Sequence, residues 1–301
     1  MNPGICIEET SGGLAIPLES SSKRLRQNFL VYLALCKRNH PQERDAMRSL
    51  LQRRINNQMK AIGIAANDYL ELLGEAASET LWPTRCAICD TPGAPLCARC
   101  KRQLPYIDPF FACPTCGAPF GKAACTECNR VTLDHRGLDA WPLDGCRSVC
   151  RATKDAIKLV TTYKDHGDQT LAPHLAHLMA QILPPAWRDA QLVPVPARSD
   201  AVRRRGFDHV DKLSALLARE ARLHRTRALA NKGGKDQRAL GDKQRLANMT
   251  DAFGLVHGAR LAPGVILVDD VMTTSATLFA AASVLRQAGA QHVFALTFAR
   301  V

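Results

Sequence analysis

The residues best suited to chemistry run from Val265 to Thr277, Val-Ile-Leu-Val-Asp-Asp-Val-Met-Thr-Thr-Ser-Ala-Thr. Four apolar β-formers lead into two adjacent carboxylates, Asp269 and Asp270. A loop follows that holds Thr273, Thr274, Ser275, Ala276 and Thr277. Apolar residues then recur at helical spacing, at Leu278, Ala281, Ala282 and Leu285. A strand, loop and helix in this order aim backbone N–H groups and hydroxyls at a helix N-terminus, where an anion is favoured. Carboxylates just ahead of that loop suit a ribose diol or a magnesium ion. A buried strand and an N-capped helix would explain a Thr-Thr pair alone. The acidic pair at a fixed distance favours a phosphate-binding site.

The second chemical cluster is sulfur. Twelve cysteines are present, and eight fall into four Cys-x-x-Cys pairs. They are Cys86 and Cys89, Cys97 and Cys100, Cys113 and Cys116, and Cys125 and Cys128. Each pair can form a knuckle that turns two thiolates toward one metal, and a tetrahedral zinc needs two knuckles. Spacing leaves open whether neighbouring or alternating pairs share a metal. So short a stretch, with few aliphatics, cannot hold itself by its own core, so two structural zinc ions are expected to supply much of its folding free energy. Pro92-Gly93, Pro114, Gly117 and Pro119 punctuate it as turns. Cys146 and Cys150 fall outside the pattern and are expected to pack where this module meets the rest of the chain.

These groups need elements to position them. Asp155 to Thr162, Leu171 to Leu183, Val210 to Leu223 and Thr277 to Ala288 read as helices. Gln191 to Pro196, Val265 to Val268 and His292 to Phe298 read as strands of a parallel sheet. The expected division is an N-terminal extension over residues 1–65, a helix plus cysteine module over 66–137, and an α/β domain over 138–301. In the extension, Glu8 to Ser22 is polar and expected to be disordered, and Ser22 to Cys36 and Gln42 to Ala61 could be basic helices. Asn67 to Leu81 reads as an amphipathic helix stopped by Trp82-Pro83.

Net charge is +12, and it is unevenly spread. Between Arg198 and Arg245 there are fourteen Lys/Arg against six Asp/Glu. Such a segment is either a solvated face or a surface for phosphates, of nucleic acid or of a small anion. Arg203, Arg204 and Arg205 precede Gly206 in what reads as a glycine-hinged loop, and guanidinium forks suit a diphosphate. Lys164 is expected at a glycine-containing turn nearby. Lys232 to Asn248 is polar, with Gly233-Gly234 and Gly241, and reads as a loop that could close over a site. Aromatic residues make up 5% of the chain, so few stacking platforms are available for single-stranded nucleic acid. No apolar run nears the roughly eighteen residues of a spanning helix. The stretch Phe29 to Cys36 lacks a small-residue cleavage site, so neither membrane insertion nor export is expected, and the protein is expected in the cytoplasm.

The acidic pair, the apolar pair and the threonine loop resemble the ribose-phosphate motif of the type I phosphoribosyltransferases, which usually have Gly where this chain has Ser275. A positive φ there would cost serine on the order of 1 kcal/mol. The order of all the motifs resembles the ComF family of competence-associated phosphoribosyltransferase-like proteins. The resemblance runs from Leu81 to Val301. It is carried by the cysteine pairs, Tyr163-Lys164 with Gly167-Asp168, Val193-Pro194-Val195-Pro196, Arg204-x-Gly206-Phe207, and Gln237, Leu240, Arg245, Asn248 and Phe253.

The resemblance implies a type I phosphoribosyltransferase-like α/β domain with a parallel sheet, preceded by a small double zinc ribbon with four cysteines to each metal. It further implies phosphoribosyl pyrophosphate and Mg²⁺ as ligands. Asp269 and Asp270 would hold the ribose hydroxyls, Thr273 to Thr277 the 5′-phosphate, and Lys164 with Arg203, Arg204 and Arg205 the departing diphosphate. Two functions are compatible with it: a phosphoribosyltransferase, or a non-catalytic protein that senses the ligand or handles single-stranded DNA. Proteins of DNA uptake would be the partners.

Overall fold

The computed structural model describes residues 83–232 and 252–301. The expected helices at Ser22 to Cys36, Gln42 to Ala61 and Asn67 to Leu81, the polar stretch Glu8 to Ser22, and most of the loop Lys232 to Asn248 lie outside the described residues.

The centre of the molecule is built by the most apolar strands. β5 (Gly264–Met272) and β6 (His292–Arg300) pair in parallel, with Val265 opposite Val293 and Val268 opposite Leu296. Val265, Ile266, Leu267 and Val268 are all fully buried. Continuous apolar runs of this kind are what a parallel sheet covered on both faces requires. β2 (Gln191–Pro194) pairs with β5, and β1 (Gly145–Arg151) with β6, both in parallel. The sheet order is therefore β1-β6-β5-β2. Observed strands extend the expected ones: β5 continues past Val268 through both carboxylates, and β6 past Phe298 to Arg300. β2 is shorter, ending at Pro194.

β1 has no counterpart among the expected strands. Its sequence, Gly-Cys-Arg-Ser-Val-Cys-Arg, lacks an apolar run. It is buried nonetheless because its polar side chains find partners, Ser148 bonding Thr297 through their hydroxyls at 2.7 Å. Cys146 and Cys150 both lie on this strand and are fully buried.

Helices cover the two faces. α3 (Lys154–Lys164), α4 (Ala172–Gln181) and α6 (His209–Ala221) share a core with Ile266, Val268, Leu296 and Phe298. α7 (Ala276–Gln287) joins β5 to β6 and packs with Val265, Leu267, Val293 and Ala295. α5 (Ser199–Arg205) stands between β2 and α6 and ends at Gly206, whose φ of 78° is the left-handed cap that favours glycine. A short antiparallel pair, β3 (Leu229–Asn231) and β4 (Phe253–Leu255), stands on either side of residues 233–251.

The cysteine module carries α1 (Ala98–Gln103) and α2 (Arg130–Arg136). It extends the sheet edge: Ile107 N donates to Val149 O at 2.9 Å and Arg151 N to Pro105 O at 3.0 Å, on either side of a Tyr106–Cys150 bridge. Gly117 lies so close that a Cβ would meet Cys146 O at 2.7 Å, so only glycine fits this approach. Arg300 at the end of β6 is buried and bonds Cys116 O and Glu127. Residues Thr84–Val301 cluster as one compact unit.

Candidate functional site

The four cysteine pairs form two groups, and neighbouring pairs combine. Cys86, Cys89, Cys97 and Cys100 are one group, and Cys113, Cys116, Cys125 and Cys128 are the other. In each, the sulfurs all lie within 4.8 Å of one another. Cys89 and Cys97 sulfurs are 3.7 Å apart, Cys113 and Cys128 3.6 Å, and Cys116 and Cys125 3.4 Å. A tetrahedron with Zn–S bonds of about 2.3 Å has edges of about 3.8 Å, so both groups could hold a zinc ion. Backbone amides of Cys97 and Cys100 donate to sulfurs of Cys86 and Cys97, each at 3.4 Å. Such donors favour thiolates. Thr91 brings Cys89 down to about 5, while burial and the neighbouring sulfurs push Cys100 up to about 12. In the second group burial pushes Cys116 well up, whereas at Cys113 the amides of Cys116 and Thr115 outweigh burial and bring the thiol to about 7. Only a bound cation would hold all four sulfurs of a group as thiolates together.

The candidate anion site lies at the carboxyl ends of β5 and β2, where Pro194 pairs with Val268 and both strands run out to the same edge. Parallel α/β sheets bind their ligands at such edges. Thr273 and Thr274 are exposed there, while Ser275 and Ala276 are buried. Ser275 is the N-cap of α7, with φ 63° and ψ −2°, and its side chain makes no capping bond. The position is thus left-handed, the conformation in which a glycine would be at ease. The first-turn amides of α7 have no intrahelical partners, so this end offers N–H groups to an anion.

Asp270 is 5% exposed. Its Oδ2 accepts from Lys164 Nζ at 2.8 Å and lies 3.2 Å from His209 Nε2, and its Oδ1 accepts from Val271 N at 2.8 Å. Burial alone would raise this carboxyl, but His209 and Lys164 outweigh it and hold it well below the ordinary carboxylate range. Asp269 is less covered, and its Oδ1 accepts from Asp270 N at 2.8 Å. Burial, and after it the charge on Asp270, push Asp269 well above the ordinary value. The two adjacent carboxyls are thus shifted in opposite directions, charge being favoured on Asp270 and disfavoured on Asp269.

The three arginines stand in the last turn of α5 rather than on a loop, because Ser199 to Arg205 has no breaker before Gly206. Arg203 and Arg204 are exposed. Arg205 pairs with Asp165 at 2.9 Å, and its NH1 lies 3.5 Å from His209 Nδ1. Lys164 is the last residue of α3, directly before Asp165. The fold therefore draws Lys164, Asp165, Arg205, His209 and Asp270 into one chain of contacts.

Two residues bound into that chain were not among the expected site residues. His209 is 4% exposed and shares the buried face of α6 with Val210, Leu213 and Leu217. A titratable residue on the apolar face of an amphipathic helix, directly after Arg-Gly-Phe-Asp, is the signal that could have found it. Tyr163 is fully buried and donates to His209 O at 2.5 Å.

A parallel α/β sheet with this strand–loop–helix, preceded by two four-cysteine groups, is a phosphoribosyltransferase-like fold with a double zinc ribbon. The chain is a homologue of competence and DNA-utilization proteins. It is 26% identical over 204 residues to "Competence protein ComFC" of Streptococcus pneumoniae, covering 64% of this chain and 89% of that one. It is 27% identical over 208 residues to "Competence protein F" of Haemophilus influenzae, covering 66% and 87%. To "DNA utilization protein YhgH" of Salmonella typhi it is 29% identical over 236 residues, covering 70% and 94%. No family model matches the chain. Among the described residues, no helix is long and apolar enough to cross a membrane.

Proposed function

We propose that the chain binds phosphoribosyl pyrophosphate with Mg²⁺ at the carboxyl edge of its sheet and serves DNA uptake or nucleotide metabolism. The observation that carries this reading is the left-handed N-cap at Ser275, which turns the end of β5 into the open N-terminus of α7 directly beside the Asp269–Asp270 pair. In this reading Thr273 to Thr277 hold the 5′-phosphate, Asp269 and Asp270 the ribose hydroxyls, and Lys164 with Arg203 to Arg205 the diphosphate. The acidic pair suits a diol better than a naked cation, because Asp270 is already paired with Lys164 and burial beside Asp270 disfavours charge on Asp269. Mg²⁺ would neutralise charge on the diphosphate with which it arrives. The protein's own contribution to turnover would be electrostatic, its cations stabilising charge on the leaving group. The names of the relatives support the DNA-uptake setting.

Calorimetry with phosphoribosyl pyrophosphate and Mg²⁺, on wild type and Asp270→Asn, tests this. Wild type is expected to bind and the variant to bind far more weakly. Absence of wild-type binding would sink the ligand. Pyrophosphate release in the presence of an acceptor would establish turnover, and binding without release would make the protein a ligand sensor.

The second reading, handling of single-stranded nucleic acid, is favoured by exposed aromatic side chains on the cysteine module. Phe110 is 65% exposed and Phe120 75%, with Phe111 half exposed next to Phe110 in sequence. Lys122 Nζ lies 3.6 Å over the Phe110 ring. Phe120 takes a φ of 60°, which a bulky residue rarely adopts. Aromatics are scarce in the chain, yet Tyr106, Phe110, Phe111 and Phe120 are all exposed on this module, where bases could stack with a lysine at hand. Binding of single-stranded DNA that weakens steeply with salt, and is lost in Phe110→Ala/Phe120→Ala, is expected. Affinity indifferent to salt would count against it.

A further inference from the structure

The contact chain described above contains one group to which the ribose-phosphate reading gives no role. His209 is buried between two residues of opposite charge: its Nε2 lies 3.2 Å from Asp270 Oδ2 and its Nδ1 3.5 Å from Arg205 NH1. An ionised carboxylate only accepts hydrogen bonds and a guanidinium only donates them. A neutral imidazole has one N–H and one lone pair, so these neighbours select the form with the proton on Nε2. Its surroundings are fixed from a second direction. Tyr163 and Lys164, consecutive at the end of α3, each hold one partner of the same contact. The Tyr163 hydroxyl donates to His209 O at 2.5 Å, and Lys164 Nζ donates to Asp270 Oδ2 at 2.8 Å. Burial keeps the Tyr163 phenol protonated and so a donor.

We propose that His209 is a positioning residue of the ribose-phosphate site, an imidazole that ties the carboxylate facing the ribose to the guanidinium facing the diphosphate. The role rests on the ribose-phosphate reading given above. Asp270 receives three donors, from Lys164, His209 and Val271 N, so its rotamer is set before any ligand arrives. Arg205, held by Asp165 on one side, meets the imidazole lone pair on the other. Two groups from different elements are thereby presented at a set spacing, and a ligand that needs both loses less freedom in ordering them. Removing the outer partner of a metal ligand typically costs about 10–100-fold in affinity, and a loss of that order is expected here.

The test uses the full chain with phosphoribosyl pyrophosphate and Mg²⁺. Imidazole nitrogen shifts measured by NMR are expected to show a proton on His209 Nε2, donated to Asp270. An Nε2 without a proton, the ring being protonated on Nδ1 alone, would overturn the proposal. His209→Gln keeps one donor and one acceptor, whereas His209→Leu keeps neither. Calorimetry is expected to show affinity reduced about 10–100-fold in the Leu variant and largely restored in the Gln variant, at matched thermal midpoints. Wild-type affinity in the Leu variant would remove the role while leaving the ligand in place, as would a Gln variant as weak as Leu. A wild type that bound no phosphoribosyl pyrophosphate would remove the ribose-phosphate reading, and the role with it. Should the Leu variant fail to fold, the Gln variant and the tautomer decide.

Discussion

The cysteine module and the anionic site are both constellations of side chains, but they are assembled by different means. Each four-cysteine group draws its ligands from fifteen or sixteen consecutive residues, Cys86 to Cys100 and Cys113 to Cys128. The anionic site draws on α3, α5, α6 and the β5–α7 turn, so that Lys164 meets Asp270 across 106 positions of sequence. A knuckle is a local turn, and its geometry follows from spacing. A buried ion pair between distant elements follows only from how those elements pack. Sequence patterns therefore reveal every ligand of the first kind of site, though not which pairs combine, and the second kind only in pieces.

The comparison breaks most visibly where the local site is disrupted. Cys116→Ser is expected to lower the zinc content from two ions per chain to one, by elemental analysis, and to open the module around Cys113 to hydrogen exchange. Structural zinc supplies on the order of 10 kcal/mol to such small modules, so the effect should dwarf any at the anionic site. Loss of both ions would show that the two groups are not independent.

At the anionic site, Asp270→Asn should cost about 3 kcal/mol at neutral pH, because Lys164 loses its buried counter-charge. Asp270 has its carboxyl depressed in the folded protein. Its stabilisation is therefore complete above the unfolded value of about 3.9 and is lost as pH falls below it toward the depressed folded value. Chemical denaturation of wild type and variant should differ at neutral pH and converge in acid. Asp269→Asn sharpens the contrast between neighbours, since the sign reverses. Its carboxyl is raised, so wild type loses stability as pH climbs from about 3.9 through that raised value. The variant should be the more stable protein at neutral pH, and no different from wild type at low pH. A stable wild type and weakened variant at neutral pH would contradict the upward shift of Asp269.

The smallest change is expected at Ser275. Replacing it with glycine relieves about 1 kcal/mol of left-handed strain but frees the unfolded chain, leaving a net gain of about 0.5 kcal/mol in thermal or denaturant unfolding. Phosphoribosyl pyrophosphate binding should survive, because the loop's amides remain. A destabilised Ser275→Gly would mean that the serine hydroxyl makes a contribution larger than its strain.

Much of the fold was legible because its core strands are continuous apolar runs and its helices carry apolar faces. β5, β6, α4, α6 and α7 lie where periodicity predicts, within a few residues at their ends. β1 was not legible, because Ser148 and Cys150 are buried through partners on β6 rather than through their own hydrophobicity. The arginines of α5 read as a loop because charge and a glycine suggested a hinge, whereas Gly206 is the cap that ends a helix. In the site, Asp269, Asp270 and the threonine loop were legible as a contiguous motif. His209 and Tyr163 were not, since a lone histidine beside apolar residues carries no local mark of its partner.

The amino-acid sequence by itself determined the four Cys-x-x-Cys pairs, the strand–loop–helix that ends β5, and the sign of the charge around it, because each depends on residues close in the chain. Only the tertiary structure decided which cysteine pairs combine, that Ser275 is left-handed, and that Lys164, His209 and Arg205 join one network around a single carboxylate. Those outcomes depend on packing: a parallel sheet brings together the ends of elements far apart in sequence, and burial there leaves a charged group no partner but the ones the fold supplies.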